Sequence, residues 1–157
     1  MTAVFVLLVL FQLKHWLADY PLQRPWMLGK FKDKGWVLPL AAHAAVHGFF
    51  TWLIVCWFTT HAWLVALVVG LDVVLHFTMD RFKAGSKWMG RWKPLTGDQY
   101  TAMRAVLAGK TAGAPFPLEV AKERLRGNTL FWWALGIDQM FHHLTHYLII
   151  ALILGLR

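Results

Sequence analysis

Four apolar stretches of membrane-spanning length, near residues 1–19, 37–58, 62–80 and 129–156, organise the chain. About 20 helical residues cross a hydrocarbon core of about 30 Å, so the pattern predicts four transmembrane helices. The first stretch is the shortest. It has no basic leader and no A-x-A-like site ahead of the charged 14–19 segment, so it is expected to remain as a helix rather than be cleaved as a secretory signal. It should stop at Asp19-Tyr20-Pro21, because proline disfavours helical geometry in the residue before it. Only Thr59, Thr60 and His61 separate the second and third stretches, which must therefore form an antiparallel hairpin. Segment 81–128, rich in Gly, Pro and charge, is expected to stay outside the membrane. Two short amphipathic helices are predicted within it, one capped by Asp98 and running to about Ala108 and one from Pro117 to Arg126, lying on the membrane surface as a lid. The expected fold is all-α: a single membrane domain over 1–157, built as a four-helix transmembrane bundle.

The polar positions inside these stretches recur in a fixed pattern. His15/Asp19, His43/His47, His76/Asp80 and Asp138/His142 are each spaced i, i+4, and Asp72 and His146 extend two of the sets by another turn. Residues four apart share a helix face, so each pair presents two side chains in one direction. Ionisable groups at membrane depth are costly and usually face a bundle interior. With helices of alternating direction, His43 and His47 fall about 9 and 15 Å from the cytoplasmic boundary, His76 about 6 Å and Asp72 about 12 Å, at about 1.5 Å per residue. Asp19 and Asp80 sit at that boundary. All four pairs therefore overlap in the cytoplasmic third. Imidazole and carboxylate together suit zinc, manganese or iron.

The ligand pool predicted on this basis is His15, Asp19, His43, His47, His76, Asp80, Asp138 and His142, holding one or two divalent ions, zinc foremost, with iron or manganese as alternatives. Asp72 and His146 are expected as proton acceptors or as partners behind the ligands. Interhelical salt bridges and hydrogen bonds that merely hold the bundle would use the same residue types. His61, in the outer hairpin, is expected to be a polar anchor, and His143, turned about 100° from His142 on the helix, a group behind the ligands or a structural one.

Composition sharpens this picture. A chain of 157 residues that is 58% hydrophobic, with mean hydropathy +0.48, is too apolar for an ordinary soluble domain. Several of the ten tryptophans, among them Trp16, Trp36, Trp57, Trp63, Trp132 and Trp133, lie near predicted helix ends, as interfacial anchors do. The formal charge of +8 has a topological explanation. Of 16 Lys and Arg, four lie in 20–36 and ten between Arg81 and Arg126, which places both connections in the cytoplasm and both termini outside. No nucleic-acid role is needed to account for it. Cys56 is the single cysteine, so there is no internal disulfide and no cysteine-based zinc site.

The string His15-Trp16-Leu17-Ala18-Asp19-Tyr20-Pro21-Leu22-Gln23, followed by His43-Ala44-Ala45-Val46-His47, His76-Phe77-Thr78-Met79-Asp80 and Asp138-Gln139-Met140-Phe141-His142, resembles a family of small bacterial and phage integral-membrane proteins classed as a domain of unknown function. The likeness covers nearly the whole chain and implies a bacterial inner-membrane location. A looser likeness is to inner-membrane metal-dependent hydrolases, which also place His and Asp on several spans, although this chain lacks H-E-x-x-H. The leading expectation is a membrane-embedded metal-dependent hydrolase acting on a lipid or phosphoester near the cytoplasmic leaflet. Competing readings are a non-haem di-iron protein or a bis-histidine haem protein ligated by His47 and His142, a metal transporter with helices broken near Gly70 or Gly136, and a membrane protein without chemistry. Expected partners are membrane lipid and a possible second copy of the chain.

Overall fold

A computed structural model describes residues 2–93 and 126–156, together with Gln99, Ala102, Ala105, Val106, Ala108, Gly109, Val120 and Glu123. It is all-helical among the described residues, with four long helices: α1 (Thr2–Asp19), α2 (Val37–Val55), α3 (Ala62–Ala84) and α4 (Thr129–Leu156). All four are long and apolar enough to cross a membrane. The two surface helices expected around Asp98–Ala108 and Pro117–Arg126 lie largely outside the described residues.

Local signals set the helix ends. At the end of α1, Leu22 N–H donates to Leu17 O at 3.0 Å, closing a wide turn just past Pro21. Pro25 then opens a short 3-10 helix, Pro25–Phe31, where its missing N–H costs nothing. Asn128 caps α4: its Oδ1 accepts from Phe131 N–H at 2.9 Å, and its Nδ2 donates to Trp92 O at 2.7 Å, tying the start of α4 to the 3-10 turn Met89–Trp92. α3 runs past the expected end at Asp80 to Ala84. The extra turn keeps Lys83 in helical register with Asp80, at 3.1 Å, and stacks Arg81 on the Trp36 ring at 3.8 Å.

The bundle interior has two storeys. At the end formed by the start of α1, the α2–α3 hairpin and the end of α4, Leu7, Phe11, Val55, Leu64, Val68, Ile149, Ile150 and Ile153 make an apolar core. At the opposite end the buried His, Asp and Lys side chains gather, beside apolar ones such as Leu40 and Ala44. Phe11 packs against His146 with ring centroids 5.2 Å apart, where the storeys meet. The outward faces carry large exposed apolar side chains such as Phe5, Leu13, Leu67, Val74 and Leu144. Such a surface belongs in lipid rather than water.

α2 and α3 pack closely at Gly48, where a Cβ would overlap Val73 Cγ2. Gly48→Ala is therefore expected to cost about 1–3 kcal/mol by forcing the helices apart. Thermal unfolding in detergent checks this, and a midpoint equal to that of the unsubstituted protein would contradict the close packing.

Candidate metal centre

The i, i+4 spacing turns each polar pair to the inner face of its helix, and the antiparallel order brings the pairs to one end of the bundle. α1 supplies His15 and Asp19, α2 His43 and His47, α3 His76 and Asp80, and α4 Asp138 and His142. Asp19 Oδ1 lies 3.2 Å from His43 Nε2 and 3.1 Å from His47 Nε2. His43 Nε2 lies 3.2 Å from His76 Nε2. These four residues each offer a ligand atom within 4.8 Å of all the others, and so could hold a metal ion. A tetrahedral zinc with bonds of about 2.0–2.1 Å holds its ligand atoms about 3.3–3.4 Å apart, close to the three short separations here.

His76, Asp80 and His142 form a second metal-capable group. Asp80 lies 3.8 Å from His76 Nε2 through one oxygen and 3.8 Å from His142 Nε2 through the other. His76 approaches both groups through Nε2. One Nε2 lone pair binds one ion, so the two groups compete for His76.

Six of the eight predicted ligands fall in these groups. The other two sit beside them. His15 Nε2 is 3.1 Å from Asp19 Oδ2 and 3.1 Å from Gln139 Oε1, bridging α1 and α4. Asp138 Oδ2 is 2.8 Å from Lys83 Nζ and accepts from Gln139 Nε2 at 3.0 Å. Asp72 and His146, expected as proton acceptors, lie outside both groups. Asp72 Oδ2 accepts from Lys14 Nζ at 2.6 Å and Thr51 Oγ1 at 2.7 Å, whereas the His146 ring stands 5.4 Å from that of His15.

Two buried lysines, Lys14 and Lys30, and the half-buried Lys83 are the main residues that sequence reasoning missed. Lys14 binds Asp72, Lys30 Nζ reaches Asp80 Oδ2 at 2.5 Å from the connection after α1, and Lys83 binds Asp80 and Asp138. Burial pushes the Lys30 ammonium below the usual lysine range, while Asp80 pulls it back up. Asp72, Asp80 and Asp138 therefore each have an ammonium partner. The ion-pair contacts of Asp19 among the described residues are with His15, His43 and His47, so it is the carboxylate left for a metal.

The ring arrangement bears on the redox readings. His47 and His76 stack at 3.6 Å, and His76 and His142 at 4.2 Å. With the His76 ring stacked between them, His47 and His142 do not face one another directly as a haem pair would. A di-iron centre bridged by Asp80 and Asp138 meets Lys30 and Lys83 at those oxygens. The transport reading loses its broken helices, since Gly70 and Gly136 lie within continuous α3 and α4.

The Nδ1 atoms of His15, His43, His47 and His76 are buried without a hydrogen-bond partner. For His43, His47 and His76 a proton on Nδ1 leaves the Nε2 lone pairs directed at the shared centre, whereas His15 needs its proton on Nε2 to reach Gln139 Oε1. These rings are thus aimed by helix packing rather than by a carboxylate behind each one, the commoner arrangement around a metal. His143 forms a hydrogen bond with Gln12 at 3.0 Å, and His61 is exposed at the hairpin. No family model, curated protein or solved structure matches the chain.

Proposed function

We propose that this chain is a membrane-embedded, metal-dependent hydrolase that binds one zinc ion through Asp19, His43, His47 and His76 and acts on a lipid or phosphoester head group at the cytoplasmic leaflet. The observation that carries the metal reading is the set of three ligand-atom separations of 3.1–3.2 Å around Asp19 Oδ1 and His43 Nε2. Orientation follows the basic connections: the polar storey faces the cytoplasm of a bacterial inner membrane, with both termini outside. A zinc ion held by these residues would supply an acidified water and a Lewis acid for the scissile group.

The chain's own residues do the rest. Asp19 is the most exposed of the four candidate ligands, its side chain at 14%, and would be the ligand nearest an entering substrate. Lys83, 19% exposed, lies between Asp80 and Asp138 and would offer its ammonium to a phosphoryl oxygen. His15, used by neither metal-capable group, points its Nε2–H at Asp19 Oδ2 and Gln139 Oε1 and so orients the Asp19 carboxylate.

Elemental analysis of protein purified without chelator is expected to give one zinc per chain, and Asp19→Asn should weaken binding by at least about 10-fold. Reconstituted protein should release a phosphate-bearing head group only when zinc is present. Stoichiometric zinc without turnover of any phosphoester would leave a metal-binding protein and remove the hydrolase.

A further inference from the structure

The four helix seams are not alike. α2 meets α3 tightly at Gly48 and Val73, and the apolar storey closes the outer half of the bundle. Along its inner half, the seam between α1 and α4 is polar from the surface to the centre. Gln12 Nε2 and His143 Nδ1 are 3.0 Å apart across it, with Gln12 exposed and His143 half-buried. Behind them the His143 and His15 rings are 5.8 Å apart, and His15 bonds both Gln139 on α4 and Asp19. Gln12 lies seven residues before Asp19, about 10 Å along the axis, within the spanning part of α1. Around this pair the surface is hydrocarbon: Val9, Leu13, Met140 and Leu144 are all exposed.

A polar pair on a lipid-facing surface is costly, and such groups ordinarily turn inward or line a water-filled path. Here the pair instead continues an inward row of hydrogen-bonding side chains. The charge at the end of that row favours one sign of ligand. Asp19, Asp72, Asp80 and Asp138 face Lys14, Lys30 and Lys83, so with neutral imidazoles the storey carries one negative charge, which a divalent ion converts to one positive charge.

We propose that the inner α1–α4 seam is a lateral portal, through which the anionic head group of a membrane-resident amphiphile passes from the bilayer to the histidine–aspartate centre while its acyl chain stays in lipid. The sign of the head group rests on the metal reading of the previous subsection; the opening does not. Gln12 and His143 exchange their mutual hydrogen bond for bonds to the head group, and His15 and Gln139 receive it next.

The test is photolabelling of the full chain in phosphatidylcholine vesicles containing a trace of a phosphatidic-acid analogue with a head-group diazirine, the adducts being mapped by peptide mass spectrometry. Adducts are expected on residues 8–19 and 137–146, reaching deeper than the interfacial tryptophans. Gln12→Leu/His143→Leu should lower them at least about fivefold, the scale of losing a hydrogen bond. This double variant makes the lipid face more apolar and should fold normally, as circular dichroism checks. Adducts spread evenly around all four helices, or unchanged in the double variant, would overturn the portal. So would a cross-link between two copies through this seam, which would make it a dimer interface. A zwitterionic probe that labels equally well overturns the anionic head group. Zinc content measured on the same vesicles keeps the readings apart: labelling retained without bound zinc counts against the metal and not against the portal.

Discussion

His76→Ala is expected to abolish metal binding, lowering affinity by more than about 100-fold, beyond the 10–100-fold typical of residues that only support a ligand. His76 is the residue common to both metal-capable groups, and its ring stacks on His47 and His142. Its removal deletes a ligand atom and the spacer that aligns two other rings. Asp138→Ala provides the contrast. Asp138 is in neither group, so the variant should keep its ion, although Lys83 loses one of its two carboxylates. Elemental analysis of the two variants side by side separates loss of a ligand from loss of charge balance. Full metal content in a folded His76→Ala protein would sink the shared centre.

The second large effect concerns stability. Lys14 Nζ and Asp72 Oδ2 are 2.6 Å apart, each side chain 1% exposed, and join α1 to α3 next to the apolar storey. Asp72→Leu should cost about 3–5 kcal/mol because it strands a buried ammonium. Lys14→Met should cost less, since Thr51 still donates to Asp72 at 2.7 Å. The double variant Lys14→Met/Asp72→Leu should recover most of the loss, because well-packed apolar groups often replace a buried ion pair at little net cost. Unfolding midpoints of the three proteins in micelles test this. Losses that simply add would show that the two charges are not coupled.

The contrast between these residues shows what the sequence made readable. The i, i+4 pairs stand out because a polar group in an apolar run is conspicuous and its helix face follows from the period alone. The topology of four antiparallel spans then leaves the pairs one end of the bundle to share. The lysines are a different case. Lys30 and Lys83 belong to the basic clusters that set orientation, and charge counting treats every member of a cluster as solvated. Which of them turns inward depends on tertiary packing: Lys30 on how the 3-10 helix Pro25–Phe31 folds back, and Lys83 on the extra turn of α3. Lys14 was visible as a charge in a span, but only the contact with Asp72 explains it. By sequence alone the carboxylates are interchangeable as ligands for the same reason. Only after each lysine is assigned does Asp19 emerge as the carboxylate whose ion-pair contacts, among the described residues, are with imidazoles alone.

Asp19, His43, His47 and His76 all come from α1, α2 and α3, and the last of them lies less than halfway along the chain. A ribosome makes the chain from its N-terminus, so the whole four-residue group has been synthesised before the first residue of α4. Lys14 and Asp72, and Lys30 and Asp80, also find each other within those three helices. α4 therefore arrives at a centre whose ligands are already made and whose deepest charges already have partners. What it adds is a wall: Gln139 against His15, His142 against His76, and His143 closing onto Gln12.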